Sequence, residues 1–296
     1  IEPYTNLYRV WKTPELEKSI RNLLDIFTDK LLNKETYHLD LFFNDEWEGK
    51  RNIESYGHDI EASWLLHETA LVLDDKILLH KIERIIRRIA DAADEGLRDV
   101  LENNILSYWL TKVKDEENGG FYGRVDGNDQ VHPEAEKGAV MNARILWAFS
   151  AAYRVLKKPE YLEAATRAKD YVRDYFLDRE YGGIYWSVDY QGNPLDTKKQ
   201  TYAIGFAIYG FSEYARATGD KEALDIAISL YHDIEKHAFD AKNNGYIEAL
   251  TREWNPIADM RLSDKDENGS RTMNTHLHII EPYTNLYRVW KTPELE

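Results

Sequence analysis

The hydrophobic pattern of the chain is mostly helical. From Pro14 to Leu32, apolar side chains recur every three or four positions, which places them on one face of a helix. Thr13 fits the N-cap of this helix, and Pro14 fits its first turn. The same periodicity predicts helices at 57–73, 77–93, 97–113, 138–157, 159–177, 201–218, 221–238 and 272–289. No alternating run is long enough to predict a large sheet.

A short glycine-containing insert recurs between pairs of predicted helices. It spans 118–126 and 181–189, and further versions begin at Asn244 and Tyr37. Gly119, Gly182 and Gly245 are each 63 residues apart, a period typical of repeated supersecondary units. Alternating apolar residues in the inserts predict short β-hairpins. We therefore predict an all-α fold, an α/α toroid in which such hairpins join successive helix pairs.

The predicted helices divide into an inner and an outer layer. Helices 138–157 and 201–218 are apolar nearly all round, which is typical of buried inner helices. Helices 159–177 and 221–238 are amphipathic and rich in charge, as outer helices are. Helices 77–93 and 97–113 both have the outer pattern and follow each other across Gly96 with no hairpin. This break in the alternation predicts that one inner helix is missing there.

One segment is present twice. Residues 1–17 and 280–296 are identical, so counting both copies gives about ten helices. The chain begins at Ile1 without an initiator methionine, which favours a trimmed or engineered chain. If a ring has one place for this segment, the two copies compete for it. The duplication therefore predicts self-association through exchange of the repeated helix.

Composition narrows the functional classes. The 296 residues carry a formal net charge of −15 without a basic cluster, which disfavours binding to nucleic acid or to an anionic membrane. No apolar run approaches the roughly 18 residues of a membrane span, and the pattern of the first residues does not predict a signal peptide. The absence of cysteine excludes thiolate chemistry and agrees with a cytoplasmic location. The 8 Trp and 20 Tyr would suit stacking on sugar rings.

Three longer motifs carry a family resemblance. They are Met141-Asn-Ala-Arg-Ile-Leu-Trp147, Met273-Asn-Thr-His-Leu-His278 with its continuation to Arg288, and Ser55-Tyr-Gly-His-Asp-Ile-Glu-Ala-Ser-Trp64. Together with the glycine hairpins, they resemble the cellobiose 2-epimerases of the N-acylglucosamine 2-epimerase family. That family folds as an (α/α)6 barrel. The resemblance covers nearly the whole chain and implies one toroid domain over 1–296.

The order of the motifs differs from that of the family. Residues 97–296 resemble the N-terminal part of the barrel, whereas 1–96 resemble its later part. The closing segment of the family, with a Pro-Tyr-His-Asn-Gly signature, has no counterpart, so nine distinct helices of twelve remain. We therefore expect a circularly permuted and shortened barrel.

The resemblance implies the chemistry and its residues. The family inverts C2 of the reducing-end glucose of β-1,4-linked disaccharides without a cofactor or metal, by ring opening and histidine-mediated proton transfer through an enediolate. His58 corresponds to one of two acid/base histidines, and Glu61 corresponds to its supporting carboxylate. His58 also lies at a helix N-terminus, which disfavours the imidazolium and keeps the ring basic. On spacing alone, His58 could equally be a helix-capping histidine.

Two further segments complete the predicted site. His276 and His278 point about 200° apart on a helix, so one of them alone faces the barrel axis. The resemblance assigns His278, with Asn274 one turn earlier, to substrate binding and makes His276 a hydrogen-bonded structural residue. It assigns Arg144 to the oxygens of the sugar and the enediolate; the alternative is a salt bridge to a neighbouring helix.

Other interpretations of the same residues stay open at this point. His58, Glu61 and His278 could form a metal site. An inverting glycosidase would need two carboxylates, for which Asp59, Glu61 and Asp126 are the candidates. Trp47, Trp186 and Trp254 could stack on sugars or pack within their hairpins. The second acid/base histidine belongs to the absent closing segment, so we expect weak or no epimerase activity, and an assembly role without catalysis is the alternative.

Overall fold

The computed structural model describes residues 1–49 and 53–295. The chain divides into two compact units, Ile1–Ser107 and Tyr108–Glu296, and each is described by itself. The described residues form ten α-helices and a few two- or three-residue strands. Within these residues, no helix combines the length and the apolar character that crossing a membrane requires.

The first unit contains four long or medium helices around one hydrophobic core. These are α1 (Glu2–Val10), α2 (Pro14–Ile26, extended by a π-helical turn over Phe27–Leu31), α3 (Tyr56–Val72) and α4 (Lys76–Asp99). Thr13 caps α2 by accepting a hydrogen bond from the backbone N–H of Leu16, as the sequence predicts. Asp75 caps α4 in the same way. The core lies between α2, α3 and α4 and includes Ile20, Leu66 and Ile82.

The two helices predicted on either side of Gly96 are one continuous helix, while the missing inner helix stays a prediction. Helix α4 runs through Gly96 to Asp99 and continues as a π-helical segment over Val100–Leu106. A glycine inside a helix costs only about 1 kcal/mol relative to alanine, so it does not end a helix that packing supports. Here packing requires it, because a Cβ on Gly96 would come within 2.4 Å of the ring of Tyr56.

The second unit alternates inner and outer helices. After α5 (Ser107–Thr111), the inner helices are α6 (Ala139–Leu156), α8 (Thr201–Thr218) and α10 (Met273–Val289), and the outer ones are α7 (Pro159–Tyr171) and α9 (Lys221–His237). α8 packs against both α6 and α10, while α7 lies on α6 and α9 lies on α8. Of the 18 residues of α8, 13 are buried, which agrees with its inner position.

Two glycines set the spacing between the inner helices. A Cβ on Gly210 of α8 would lie 2.8 Å from the carbonyl oxygen of Ala143 on α6. A Cβ on Gly205 would lie 3.1 Å from the carbonyl oxygen of His278 on α10. The three helices therefore approach one another more closely than larger residues would permit.

The predicted hairpins are present and follow one repeated plan. Antiparallel bridges join residues seven apart in each repeat: Leu32 to Leu39, Lys114 to Phe121, Leu177 to Ile184, and Phe239 to Tyr246. The residue after each first partner is Asn33, Asp115, Asp178 or Asp240, and its side chain accepts hydrogen bonds from backbone N–H groups two and three positions later. Strand pairs β1 (Lys137–Gly138) with β2 (Ser187–Val188), β2 with β3 (Pro194–Asp196), and β4 (Lys199–Gln200) with β5 (Ala249–Leu250) link consecutive repeats.

Candidate functional site

His278 lies in the first half of α10, and a carboxylate contacts its imidazole. Its Nδ1 is 2.6 Å from Oε2 of Glu281, one helical turn later. The imidazole is largely buried, with 19% of its side chain exposed. It packs edge-on against the ring of Tyr202 and at a tilt against that of Phe206, at 5.1 and 5.2 Å between centroids. A carboxylate at Nδ1 places the Nδ1 proton between the two groups and leaves Nε2 as the acceptor.

Arg144 of α6 meets the same aromatic ring as His278. Its guanidinium carbon lies 4.4 Å from the centroid of Phe206, a cation–π contact. Arg144 is exposed, and the described part of the chain offers it no ion pair, so the alternative of a salt bridge to a neighbouring helix is wrong for these residues. Because Phe206 of α8 touches both side chains, the second unit brings two predicted site residues together.

Asn274 and His276 separate as the helical spacing predicts. Asn274 is exposed one turn before His278, and within the described residues its side chain has no hydrogen-bond partner. His276 instead accepts a hydrogen bond from the backbone N–H of Tyr246 at Nε2, and its Nδ1 is 2.7 Å from the carbonyl oxygen of Thr272. His276 is therefore a structural histidine with its proton on Nδ1, which confirms the prediction.

Aromatic residues of α8 continue the site along its length. Tyr202, Phe206 and Tyr209 recur at three- and four-residue spacing, so they share one face of the helix. Tyr209 stacks on Trp147 of α6 at 4.9 Å. Burial, followed by the nearby carboxylate of Glu281, raises the pKa of Tyr209 above its ordinary value, so this phenol stays neutral.

Three residues that contact His278 were not predicted from the sequence. Glu281, Phe206 and Tyr202 were not predicted as site residues. The spacing of Glu281 three residues after His278 is a readable signal, since i and i+3 side chains are neighbours on a helix. Phe206 and Tyr202 carry no such signal, because an inner helix is expected to contain aromatic residues in any case.

His58 and Glu61 occupy α3 of the first unit. Both are exposed, and Nδ1 of His58 is 2.7 Å from the hydroxyl of Ser55 in the turn before it. The two side chains do not form a hydrogen bond or ion pair with each other, so the expected support of His58 by Glu61 is absent from this structure. The i, i+3 spacing permitted that contact, but Ser55 provides a nearer partner.

Two of the three carboxylates considered for a glycosidase form hydrogen bonds that stabilise the fold. Asp59 is fully buried, and it accepts from the backbone N–H of Leu39 and lies 2.8 Å from Nδ1 of His38. Asp126 accepts two backbone N–H groups of its own hairpin turn and lies 3.0 Å from Nε2 of His132. Two of the three candidate acids therefore have structural partners. Across residues 1–49 and 53–295, no three His, Asp or Glu side chains cluster as a metal site would require.

The hairpin tryptophans differ in their surroundings. Trp254 is structural, because its indole N–H donates to the carbonyl of Tyr181 at 2.7 Å and its ring stacks on His237 at 4.5 Å. Trp186 lies beneath the ammonium of Lys198 at 5.1 Å. Trp47 is 43% exposed beside Phe43, so it retains a free surface on which a ring could stack.

Comparison with known proteins gives consistent matches. The family model for N-acylglucosamine 2-epimerase (GlcNAc 2-epimerase) matches residues 120–282. A cellobiose 2-epimerase of Bacteroides fragilis is 65% identical over 202 residues, which is 68% of this chain and 52% of the relative. One from Ruminococcus albus is 44% identical over 192 residues, or 65% of this chain and 49% of the relative. The chain thus spans about half the length of the relatives it matches.

The solved structures agree with this result. A cellobiose 2-epimerase from Bacillus thermoamylovorans superposes with a TM-score of 0.65 and 48% identity, covering 68% of this chain and 52% of that one. A D-mannose isomerase, with a TM-score of 0.55 and 22% identity over 64% of this chain and 46% of that one, shares the fold. The predicted fold class, helix pairs of the α/α toroid type with short hairpins, is confirmed. Permutation of the chain and closure of its ring stay predictions.

Proposed function

The chain belongs to the N-acylglucosamine 2-epimerase family, and from this premise we propose that it is a sugar epimerase of the cellobiose 2-epimerase type. Its substrates would be β-1,4-linked disaccharides, inverted at C2 of the reducing-end glucose. The observation that supports this most is the meeting of Arg144 and His278 at Phe206, with His278 held by Glu281.

The proposed reaction needs proton transfers and no redox step. The reducing-end ring opens to the aldehyde, and a base removes the proton from C2 while the carbonyl becomes an enediolate. A proton then returns to C2 from the opposite face, and the ring closes as the mannose epimer. Groups that titrate near neutrality suit both transfers, and for this reason histidines are proposed for them.

The second unit would hold the sugar. The guanidinium of Arg144 is exposed and has no carboxylate partner among the residues that the structure describes, so it can donate hydrogen bonds to the sugar oxygens and to the negative charge of the enediolate. Asn274 would bind a hydroxyl from one turn away. Nε2 of His278, left as an acceptor by the contact of Nδ1 with Glu281, would take or return a proton at the oxygens of the opening ring.

His58 is our candidate for proton transfer at carbon. It lies in the first turn of α3, and the contact of its Nδ1 with the hydroxyl of Ser55 orients the ring. Glu61 lies three residues later on the same helix and would approach His58 only after a side-chain rotation. Because the second acid/base histidine has no counterpart, we propose that turnover is slower by about 10²–10⁴ than with both groups in place.

Incubation with cellobiose in D₂O tests this proposal. Proton NMR should show slow loss of the H2 signal of the reducing-end glucose and slow appearance of the mannose epimer, above a sample without protein. Saturation-transfer NMR should detect cellobiose binding. His278→Ala and Arg144→Ala should abolish both signals, whereas His80→Ala, at an exposed position on α4, should leave both unchanged.

The outcomes separate the parts of the proposal. Absence of both binding and deuteration would reject the sugar site. Deuteration at the rate of an enzyme with two histidines would reject the claim of impaired turnover. Loss of activity in His80→Ala as well would show that histidine substitutions act through the fold and not through the site.

A further inference from the structure

The two identical segments bury opposite faces. In the first copy, residues 1–17, the helix α1 buries Thr5 and Tyr8 and leaves Leu7 41% exposed. In the second copy, residues 280–296, whose last residue lies outside the described part, the continuation of α10 buries Leu286 completely and exposes Thr284. Leu286 is the equivalent of Leu7, and Thr284 is the equivalent of Thr5. One sequence therefore contains two binding faces.

The first copy binds α3 through one of these faces. The hydroxyls of Thr5 and Thr69 share a hydrogen bond of 2.9 Å, and Arg9 donates to Glu68 at 2.6 Å. Tyr8 enters the core of the first unit. The other face of α1 carries exposed apolar side chains, namely Tyr4, Leu7, Val10 and Trp11.

The second copy binds α8 and α9 through the other face. Pro282 lies beside Gly205, and the side-chain amide of Asn285 is 3.4 Å from the carbonyl of Tyr209. The hydroxyl of Tyr283 donates to Glu235 of α9 at 2.7 Å, and Trp290 packs edge-on against Tyr231 at 5.9 Å. The residues equivalent to Tyr283, Leu286 and Trp290 are the ones that α1 leaves exposed.

We propose that the chain associates with a second copy of itself through this shared sequence. α10 of one molecule keeps its contacts with its own α8 and α9. Its outer face, with Thr284 and Arg288, binds α3 of the second molecule in the place of that molecule's α1. The contacts on α3 are the same as before, Thr284 to Thr69 and Arg288 to Glu68, because the sequences are identical.

Two features favour α10 of a second molecule over α1 as the helix bound to α3. α1 has nine residues and no side-chain N-cap, whereas α10 has 17 residues and is capped by Thr272. α10 is also already ordered by its own unit, so binding α3 orders no further backbone, while the displaced α1 regains conformational freedom. α10 and α1 make the same contacts with α3, but binding of α10 frees α1 from its ordered conformation. This gain in entropy favours α10 as the helix bound to α3 and offsets part of the free-energy cost of association.

Identical substitutions in the two copies test the proposal. The wild-type mass from size-exclusion chromatography with light scattering should exceed that of one chain and rise with concentration. Arg288→Glu should return it to one chain, because the outer face of α10 then repels Glu68. Arg9→Glu should raise it, because the first copy then loses its own hold on Glu68. Lys242→Glu, an exposed change of equal charge, should leave the mass as in the wild type.

A charge swap provides an independent check. In Arg288→Glu with Glu68→Arg, the second copy regains an ion pair on α3 while Arg9 is repelled, so the mass should exceed that of the wild type. Circular dichroism should be unchanged in all variants, since Arg288 is exposed and its guanidinium donates to Asn285 one turn earlier on its own helix. A single-chain mass for the wild type and for Arg9→Glu, or a shift in the same direction for Arg9→Glu and Arg288→Glu, would overturn the proposal.

Discussion

Two lysines of the second unit, Lys137 and Lys199, are fully buried immediately before an inner helix. Their ammonium groups lie 2.7 Å from Asp115 and 2.8 Å from Asp178, respectively. Burial alone would raise the pKa of both carboxyls, but hydrogen bonds from backbone and lysine at Asp115, and from Arg252 and Lys199 at Asp178, hold each pKa below its ordinary value. In both repeats, a buried ion pair thus joins the hairpin to the start of the inner helix, in addition to the apolar contacts.

Substitution of the two lysines by methionine should have unequal costs. Lys137→Met leaves Asp115 buried without a cation, which should lower the free energy of unfolding by about 3–5 kcal/mol. Lys199→Met leaves Asp178 paired with Arg252 through two hydrogen bonds of 2.9 and 3.1 Å, so the loss should be about 1.5–3 kcal/mol. Urea unfolding followed by circular dichroism measures both, and equal losses would contradict this account.

At the scale of the element, the packing of the inner helices depends on close contact between their backbones. α6, α8 and α10 meet at Gly205 and Gly210, where the backbone of the neighbouring helix occupies the space of a side chain. This arrangement also places Phe206 between Arg144 and His278. The spacing of the helices and the geometry of the site therefore have the same cause.

Glycine-to-alanine substitutions in two helices should have opposite signs. In Gly210→Ala, the new Cβ would lie 2.8 Å from the backbone oxygen of Ala143, so the helices must separate, at a cost of about 1–3 kcal/mol. In Gly57→Ala, at the start of α3, no atom lies within 4 Å, and reduced freedom of the unfolded chain should stabilise by about 0.4–1 kcal/mol. Thermal melts of both variants measure the difference, and destabilisation by both would contradict the free space found at Gly57.

The sequence predicts the secondary-structure elements better than it predicts the side-chain contacts between them. The helix 201–218 was located to the residue, because its apolar run is bounded by a hairpin and by Gly219. The division into two helices at Gly96 is wrong, since the residue that requires this glycine, Tyr56, is 40 positions away and cannot be identified from local periodicity. Side-chain pairing was likewise partly missed, with His278 bound to Glu281 and His58 bound to Ser55. Local pattern determines which helices form, whereas contacts between residues distant in sequence depend on packing.

At the scale of the whole molecule, the net charge of −15 should destabilise the folded state by self-repulsion. At pH 7, raising NaCl from about 0.02 to about 0.5 M shortens the Debye length from roughly 20 to roughly 4 Å and screens this repulsion. Individual surface ion pairs, such as Lys112 with Asp129, are each worth only about 0–1 kcal/mol, so their loss is the smaller effect. The Tm should therefore rise by about 2–4 °C, the equivalent of roughly 1 kcal/mol.

The same salt step near pH 5 distinguishes repulsion from a general salt effect. The net charge is close to zero there, because the isoelectric point is about 5.1. Little repulsion is left to screen, while attractive pairs such as Arg173 with Glu222 are still weakened. Differential scanning fluorimetry should accordingly show a Tm that is unchanged or lower at pH 5. An equal rise at both pH values would instead assign the stabilisation to exclusion of salt from apolar surface, which does not depend on the net charge.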